Sequence, residues 1–201
     1  MARPRNDGSP SASQRIEAAF FEVLERTPID KMTVSTLVRT AGVNRNSFYY
    51  HYADLDALAE SAVANLLIPQ VPRLLASGFG LESPQLGEVF AQAGQYTGQL
   101  RRMAAVVGPN SSTALRDILK GALLDLWLGT FGLDERDLDR ETTMTVHFAL
   151  GGMLEALSRL TAELGPGLDL EEVLEVARGL PIVRASAQTV VSALAAAAGR
   201  D

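Results

Sequence analysis

Two short helical segments with a tight turn between them can be predicted from residues 33–58, TVSTLVRTAGVNRNSFYYHYADLDAL. Thr33 and Asn44 are residue types that cap helix N-termini, and Gly42 is the type that most readily ends a helix in the left-handed conformation. The first helix is therefore expected to begin after Thr33 and end at Gly42. The second is expected over Arg45 to Tyr52. This spacing is that of a helix-turn-helix, whose second helix lies in the major groove of DNA.

The first residues of the second helix have the side chains that contact DNA bases. The Arg45 guanidinium can pair with guanine, the Asn46 amide can pair with adenine, and the Ser47 hydroxyl can bond to a base or a phosphate. Tyr49 and Tyr50 lie on the same side of the helix as Arg45 and Asn46. Phenols on a solvent-facing side are typical of a surface that meets phosphate or thymine.

The opposite side of this helix is expected to be core. Phe48 and Tyr52 are one turn apart, so both can pack inward. Four of the twelve aromatic residues of the chain fall within residues 48–52, which supports a special role for this segment. His51 is as well explained by a hydrogen bond at the helix end as by a contact to DNA.

Residues 33–58 resemble the DNA-binding helices of TetR-family transcriptional regulators, and the likeness extends over roughly residues 13–70. The positions that match the family pattern are Thr33, Ala41-Gly42-Val43, Ser47, Phe48 and Tyr49-Tyr50-His51-Tyr52. The resemblance implies that Arg45, Asn46 and Tyr50 lie nearest the bases and that Tyr49 and His51 contact the DNA backbone. It also implies that Thr33 and Ser35 hold a phosphate at the N-terminus of their helix. Many family members have a lysine near the start of the fourth helix, where this chain has Leu55 between Asp54 and Asp56.

The distribution of charge also favours a DNA-binding surface in this part of the chain. The net charge is -6, which argues against a generally basic nucleic-acid binder. Residues 1–58 nevertheless contain seven basic and seven acidic residues, so the whole excess of acid falls in residues 59–201. Between residues 31 and 53 there are no acidic side chains, and this basic segment contains Lys31, Arg39, Arg45 and His51.

The rest of the chain has helical periodicity throughout, and the predicted fold is all-α with about nine helices. We expect a flexible arm over residues 1–13, a helix-turn-helix DNA-binding domain over 14–56, and a helical effector-binding and dimerisation domain over 57–201. The fourth helix is predicted from Leu55 to Leu67 because apolar residues recur at i, i+3 and i+4, and it is expected to end near Pro69 and Pro72. Further helices are predicted over residues 86–100, 111–127, 142–164, 170–177 and 182–198.

The second domain is expected to bind a small apolar or amphipathic effector. Candidate ligand-binding residues are Tyr96, Met103, Trp127, Phe131, Met144 and His147, although the same spacing is typical of plain core packing. The family resemblance is what favours a pocket. It also implies a homodimer in which the last two long helices pair across a twofold axis.

Several functions are excluded or disfavoured. The absence of cysteine excludes disulfides, thiolate metal sites and thiol nucleophiles, and is consistent with a cytoplasmic protein. No apolar stretch is long enough for a membrane span, and residues 1–13 lack the apolar segment of a signal peptide. We expect no catalytic residue, metal or cofactor. The resemblance to TetR-family regulators implies a dimeric repressor that binds a palindromic operator in double-stranded DNA. The alternatives are an all-α small-molecule-binding protein or enzyme, and an interaction module that has lost DNA binding.

Overall fold

The computed structural model describes residues 10–78, 80, 83–85, 88, 97–164 and 179–199. These residues form nine α-helices and no β-strand, which confirms the predicted all-α fold. The helices are α1 (Ala12–Leu24), α2 (Val34–Ala41), α3 (Arg45–His51), α4 (Leu55–Ala64), α5 (Gln70–Ala76), α6 (Thr97–Val107), α7 (Thr113–Phe131), α8 (Arg140–Leu164) and α9 (Pro181–Ala197). Two single 3-10 turns, Ile29–Lys31 and Glu135–Asp137, precede α2 and α8.

The predicted helix caps of the helix-turn-helix are confirmed. The side chains of Thr33, Asn44 and Asp54 accept hydrogen bonds from backbone N–H groups three residues later, at 3.1, 2.7 and 2.8 Å. Gly42 ends α2 with a φ of 63°, in the left-handed region that glycine enters without steric cost. The two helices on either side of this turn therefore have fixed first residues.

The fourth helix is shorter than predicted, because it ends at Ala64 rather than continuing to Leu67. A new helix, α5, begins at Gln70. Pro69 disfavours helical geometry at Ile68, so one helix cannot continue through this point. Pro72 is the third residue of α5, where its missing N–H would have had no partner within the helix.

The helix-turn-helix shares its core with the body of the protein. One cluster of buried side chains joins α1 to α4 with Val106 and Val107 of α6 and Leu115 and Leu119 of α7. A second cluster joins α5, α7, α8 and α9. The first core therefore continues across residues 56–57, where the sequence places a domain boundary.

Some sequence predictions lie outside the described residues. These are the short helix over residues 170–177 and most of the arm. Most of the helix predicted over residues 86–100 also lies outside them, and the described helix here, α6, runs from Thr97 to Val107. No helix in the described part of the chain has the length and apolar character that a membrane crossing requires.

Candidate nucleic-acid interface

Two aromatic side chains fix α3 to the rest of the helix-turn-helix. Phe48 is fully buried and Tyr52, the residue after α3, is nearly so, with their ring centres 5.9 Å apart. The Tyr52 hydroxyl donates a 2.8 Å hydrogen bond to Glu17 of α1. Burial and this bond to a carboxylate raise the pKa of Tyr52 to about 12. Both predictions of a core position are confirmed.

Glu17 connects α1 to α3 and α4, a role that the sequence patterns do not predict. Besides Tyr52, its carboxylate accepts hydrogen bonds from the Ser61 hydroxyl at 3.0 Å and from the Asn65 amide at 3.0 and 3.1 Å. The donors come from the end of α3 and from α4 with its C-terminal cap. One side chain on α1 therefore holds the position of the two helices that follow it, and no local sequence pattern signals a contact across 35 to 48 residues.

The opposite side of α3 is open to solvent. Tyr50 is 85% exposed and Tyr49 is 47% exposed, and Arg45 and Asn46 are exposed as well. The Arg45 guanidinium lies over the Tyr49 ring, 5.6 Å from its centre, and donates a 3.2 Å hydrogen bond to the Tyr49 hydroxyl. These contacts hold Arg45 along the helix surface. The side therefore presents a guanidinium, an amide and two phenols, all able to hydrogen-bond to bases or phosphates.

The other predicted DNA-binding residues surround this side. Thr33 and Ser35 are exposed at the N-terminus of α2, where the Thr33 hydroxyl also lies 3.0 Å from the Thr36 hydroxyl. Ser47 is half-buried, so its hydroxyl is the least accessible of the set. His51 is exposed at the end of α3 and meets the Tyr50 ring edge-on at 5.0 Å.

Arg15 is a basic residue near this surface that the sequence analysis did not select. It lies in α1, and its guanidinium donates a long hydrogen bond of 3.5 Å to the carbonyl of Gly42 in the turn. Arg15 is exposed and has no acidic partner among its described contacts. Lys31, Arg39 and Arg45 of the basic segment are exposed too. The sequence does contain a sign that Arg15 is exposed, because Arg15 directly precedes the buried Ile16 on an amphipathic helix.

The five described candidate ligand-binding residues lie in different parts of the structure. Trp127 and Phe131 are buried in the second core, and Met103 packs against the first. Met144 is 63% exposed, and the half-buried His147 lies with its Nε2 3.3 Å from a Glu135 carboxylate oxygen. Tyr96 is outside the described residues. The five described candidates are therefore spread over two cores and the surface.

A cavity of about 550 Å³ lies elsewhere, at the junction of the helix-turn-helix and the body. It is formed by the C-terminal end of α1, by α6 with the turn after it, and by the C-terminal end of α8. None of the five described candidate residues is among the residues that line it. We call it the junction cavity.

The last two helices have an exposed apolar side. Met144 and Phe148 are one turn apart on α8, and Phe148 is 81% exposed. Ile182 at the start of α9 is also exposed. α8 and α9 pack against each other. Large exposed side chains of this kind are typical of a surface covered by another protein chain.

Neither a metal site nor a similar protein helps to assign a function. No group of three or more metal-ligating side chains occurs among the residues described. Comparisons with protein-family models, with curated proteins and with solved structures find no match. The side chains of the described residues and their geometry are therefore the basis for assigning a function.

Proposed function

We propose that the protein is a cytoplasmic, dimeric transcriptional regulator of the TetR type. It binds a palindromic operator through α3 and represses transcription until a small amphipathic ligand releases it. The observation that carries the proposal is the exposed side of α3, where Arg45, Asn46, Tyr49 and Tyr50 lie together. Packing within the protein does not explain why these four side chains are exposed together, because Phe48 and Tyr52 already attach α3 to the core through its other side.

Electrostatics support the same function. The protein as a whole carries a net charge of -6, so DNA is repelled by most of its surface. Residues 31–53 lack acidic side chains, and Arg15 adds a guanidinium from α1 beside the turn. A local basic surface on an acidic protein restricts DNA to one orientation, in which α3 faces the duplex.

Dimerisation is part of the proposal, because two reading helices must enter successive major grooves. Such helices lie roughly 34–36 Å apart, one turn of DNA, and a twofold dimer requires a palindromic site. The exposed apolar residues of α8 and α9, Met144, Phe148 and Ile182, are suited to the contact between two copies. A twofold interface uses the same surface of both subunits.

In vitro selection from a random duplex library at moderate salt tests DNA binding directly. We expect enrichment of a palindrome, and an affinity that falls steeply with salt because bound phosphates release counterions. Failure to enrich any sequence with folded, dimeric protein would contradict the proposal.

Variants then test the assigned surface. Arg45→Ala should weaken operator binding about 5- to 150-fold and relax specificity at one base pair, as expected for loss of a base-contacting arginine. Arg136→Ala is the matched control, because Arg136 is equally exposed but lies in the turn before α8 with a single partner, Asp134. Equal affinities of the two variants would show that α3 does not read the operator.

A further inference from the structure

Small side chains create the junction cavity. Ala104 and Ala105 of α6, Gly108 after it, and Ala162 of α8 line its wall, so α1 and α8 approach α6 without filling the space between them. Its volume of about 550 Å³ is within the range of roughly 300–1,000 Å³ for small-molecule sites. The wall is mainly apolar, with Leu24 as its largest aliphatic residue.

Charged groups surround this apolar wall. Arg26 and Arg101 supply two guanidinium groups, and Glu25 supplies one carboxylate. Glu25 accepts two hydrogen bonds from Arg101, at 2.8 Å from Nε and 2.9 Å from a terminal nitrogen. This bidentate pair joins α1 to α6 at the cavity. Arg26 also pairs with Glu22 at 3.3 Å, but Glu22 is not among the residues that line the cavity. Guanidinium groups therefore outnumber carboxylates along the wall itself, which favours a ligand with an apolar body and one negative group.

We propose that the junction cavity binds an amphipathic monoanion, such as a medium-chain carboxylate or sulfonate, whose anionic group replaces Glu25 as the partner of Arg101. The binding of the anion is independent of DNA. Only its consequence for DNA depends on the function proposed above.

That consequence follows from the location of the cavity, because the polar contacts between α1 and the body lie beside it. Apart from the Glu25–Arg101 pair, the Asn110 amide donates to the Leu24 carbonyl at 2.9 Å, and the Asn110 carbonyl accepts from the Ile29 N–H at 2.9 Å. An occupant that takes Arg101 from Glu25 removes the ion pair between α1 and α6. The loss of this pair shifts α1 away from the position in which the protein binds the operator. DNA affinity then falls by the factor by which the ligand prefers the shifted arrangement over the operator-binding one.

Calorimetric titration with two ligands of the same chain length and opposite charge tests the binding step. We expect decanoate, well below its micelle concentration, to bind about fivefold tighter than decylammonium, the size expected for interactions with exposed charges. The net charge of -6 would favour the cation if binding were non-specific. Equal binding of the two ligands, or tighter binding of decylammonium, would overturn the proposal.

Three variants locate the site. Arg101→Gln should remove the preference for the anion. Ala162→Trp should weaken binding of both ligands, because Ala162 is exposed and the larger side chain can enter the cavity without disturbing the core. Ala64→Trp is the matched control at an exposed alanine outside the cavity, and it should bind as the unchanged protein does. Unchanged decanoate binding by Ala162→Trp would overturn the assignment of the cavity.

Operator binding measured with and without decanoate separates this proposal from the proposed function. Decanoate binding that is lost in Ala162→Trp supports the cavity even if no operator is found. Operator binding without any decanoate binding supports the proposed DNA-binding function and refutes the proposal that the junction cavity binds an anion. Release of the operator by decanoate from the unchanged protein, but not from Ala162→Trp, supports both.

Discussion

Removing the Glu17 carboxylate should destabilise the protein far more than its position on a half-exposed helix suggests. Glu17→Ala deletes the acceptor shared by Tyr52, Ser61 and Asn65. Tyr52 is nearly buried as a residue, and a part-buried hydrogen bond from its hydroxyl to a charged acceptor contributes about 1.5–3 kcal/mol. The half-buried Ser61 adds about 1 kcal/mol, and the exposed Asn65 adds little. We expect the free energy of unfolding to fall by about 3 kcal/mol.

Glu22→Ala is the matched control for this substitution. Glu22 lies on the same helix and is exposed, and its partner among the described residues is Arg26, one turn away at 3.3 Å. An exposed pair of this kind contributes about 0.3–0.5 kcal/mol. Both substitutions replace glutamate by alanine within a helix, so the change in helix propensity is the same in each.

Urea unfolding followed by circular dichroism, at one protein concentration for all variants, measures the difference. Tyr52→Phe and the double variant complete a cycle that isolates the Glu17–Tyr52 bond. We expect a coupling of at least about 1 kcal/mol between the two sites. If Glu17→Ala is within about 0.5 kcal/mol of Glu22→Ala, or if the Glu17 and Tyr52 effects simply add, Glu17 does not hold α3 and α4 in place.

Three further predictions address other parts of the structure. The pKa of Tyr52, raised from 10.0 to about 12 by burial and by Glu17, contributes stability that is present below pH 10 and is lost as the pH rises toward 12. The difference in unfolding free energy between the unchanged protein and Tyr52→Phe should therefore narrow over that range in urea titrations, and a constant difference would contradict the raised pKa. Gly42→Ala should cost about 1–2 kcal/mol of unfolding free energy because of its φ of 63° alone, since no atom lies within 4 Å of the added Cβ. Gly121→Ala, on the exposed surface of α7 and equally free of neighbours, should instead stabilise by up to about 1 kcal/mol, and equal effects of the two would refute the backbone argument. Phe148→Asp should convert the proposed dimer to monomer in sedimentation experiments, whereas Arg159→Asp on the same helix should leave the protein dimeric; a dimeric Phe148→Asp would exclude this surface as the interface.

The helix-turn-helix could be predicted in detail because its determinants are local. Thr33, Asn44 and Asp54 each cap a helix through a group three residues away, and Gly42 acts through its own backbone conformation. Helical spacing groups Phe48 with Tyr52 and places Tyr50 away from them, so the two buried residues and the most exposed phenol could be predicted. Tyr49 is three positions from Tyr52, so its exposure does not follow from spacing alone. Contacts between residues within one helical turn of each other can therefore be predicted from the sequence.

The positions of the candidate ligand-binding residues in the fold could not be predicted in the same way, because a cavity is defined by which helices meet and not by any one of them. Trp127 and Met144 occupy similar apolar patterns, yet the first is buried and the second is exposed. The junction cavity depends on small residues such as Ala104 and Ala162, which are 58 positions apart and carry no chemical signal. Helical periodicity indicates that a side is apolar, but it does not distinguish core, cavity and subunit contact.

The placement of α1 makes it the element through which the two ends of the molecule can be coupled. Its middle contacts α3 through Glu17 and Tyr52, and its last turn, at Leu24 and Glu25, borders the junction cavity. A helix of 13 residues is a rod of about 20 Å, and the shared core holds it against α4 and α6. Because a packed helix shifts as a unit and does not bend locally, a displacement of its C-terminal end would also move the carboxylate that holds Tyr52. α4 ends at Ala64 and also packs against α7 of the body, but it does not line the junction cavity, whereas the C-terminal end of α1 does.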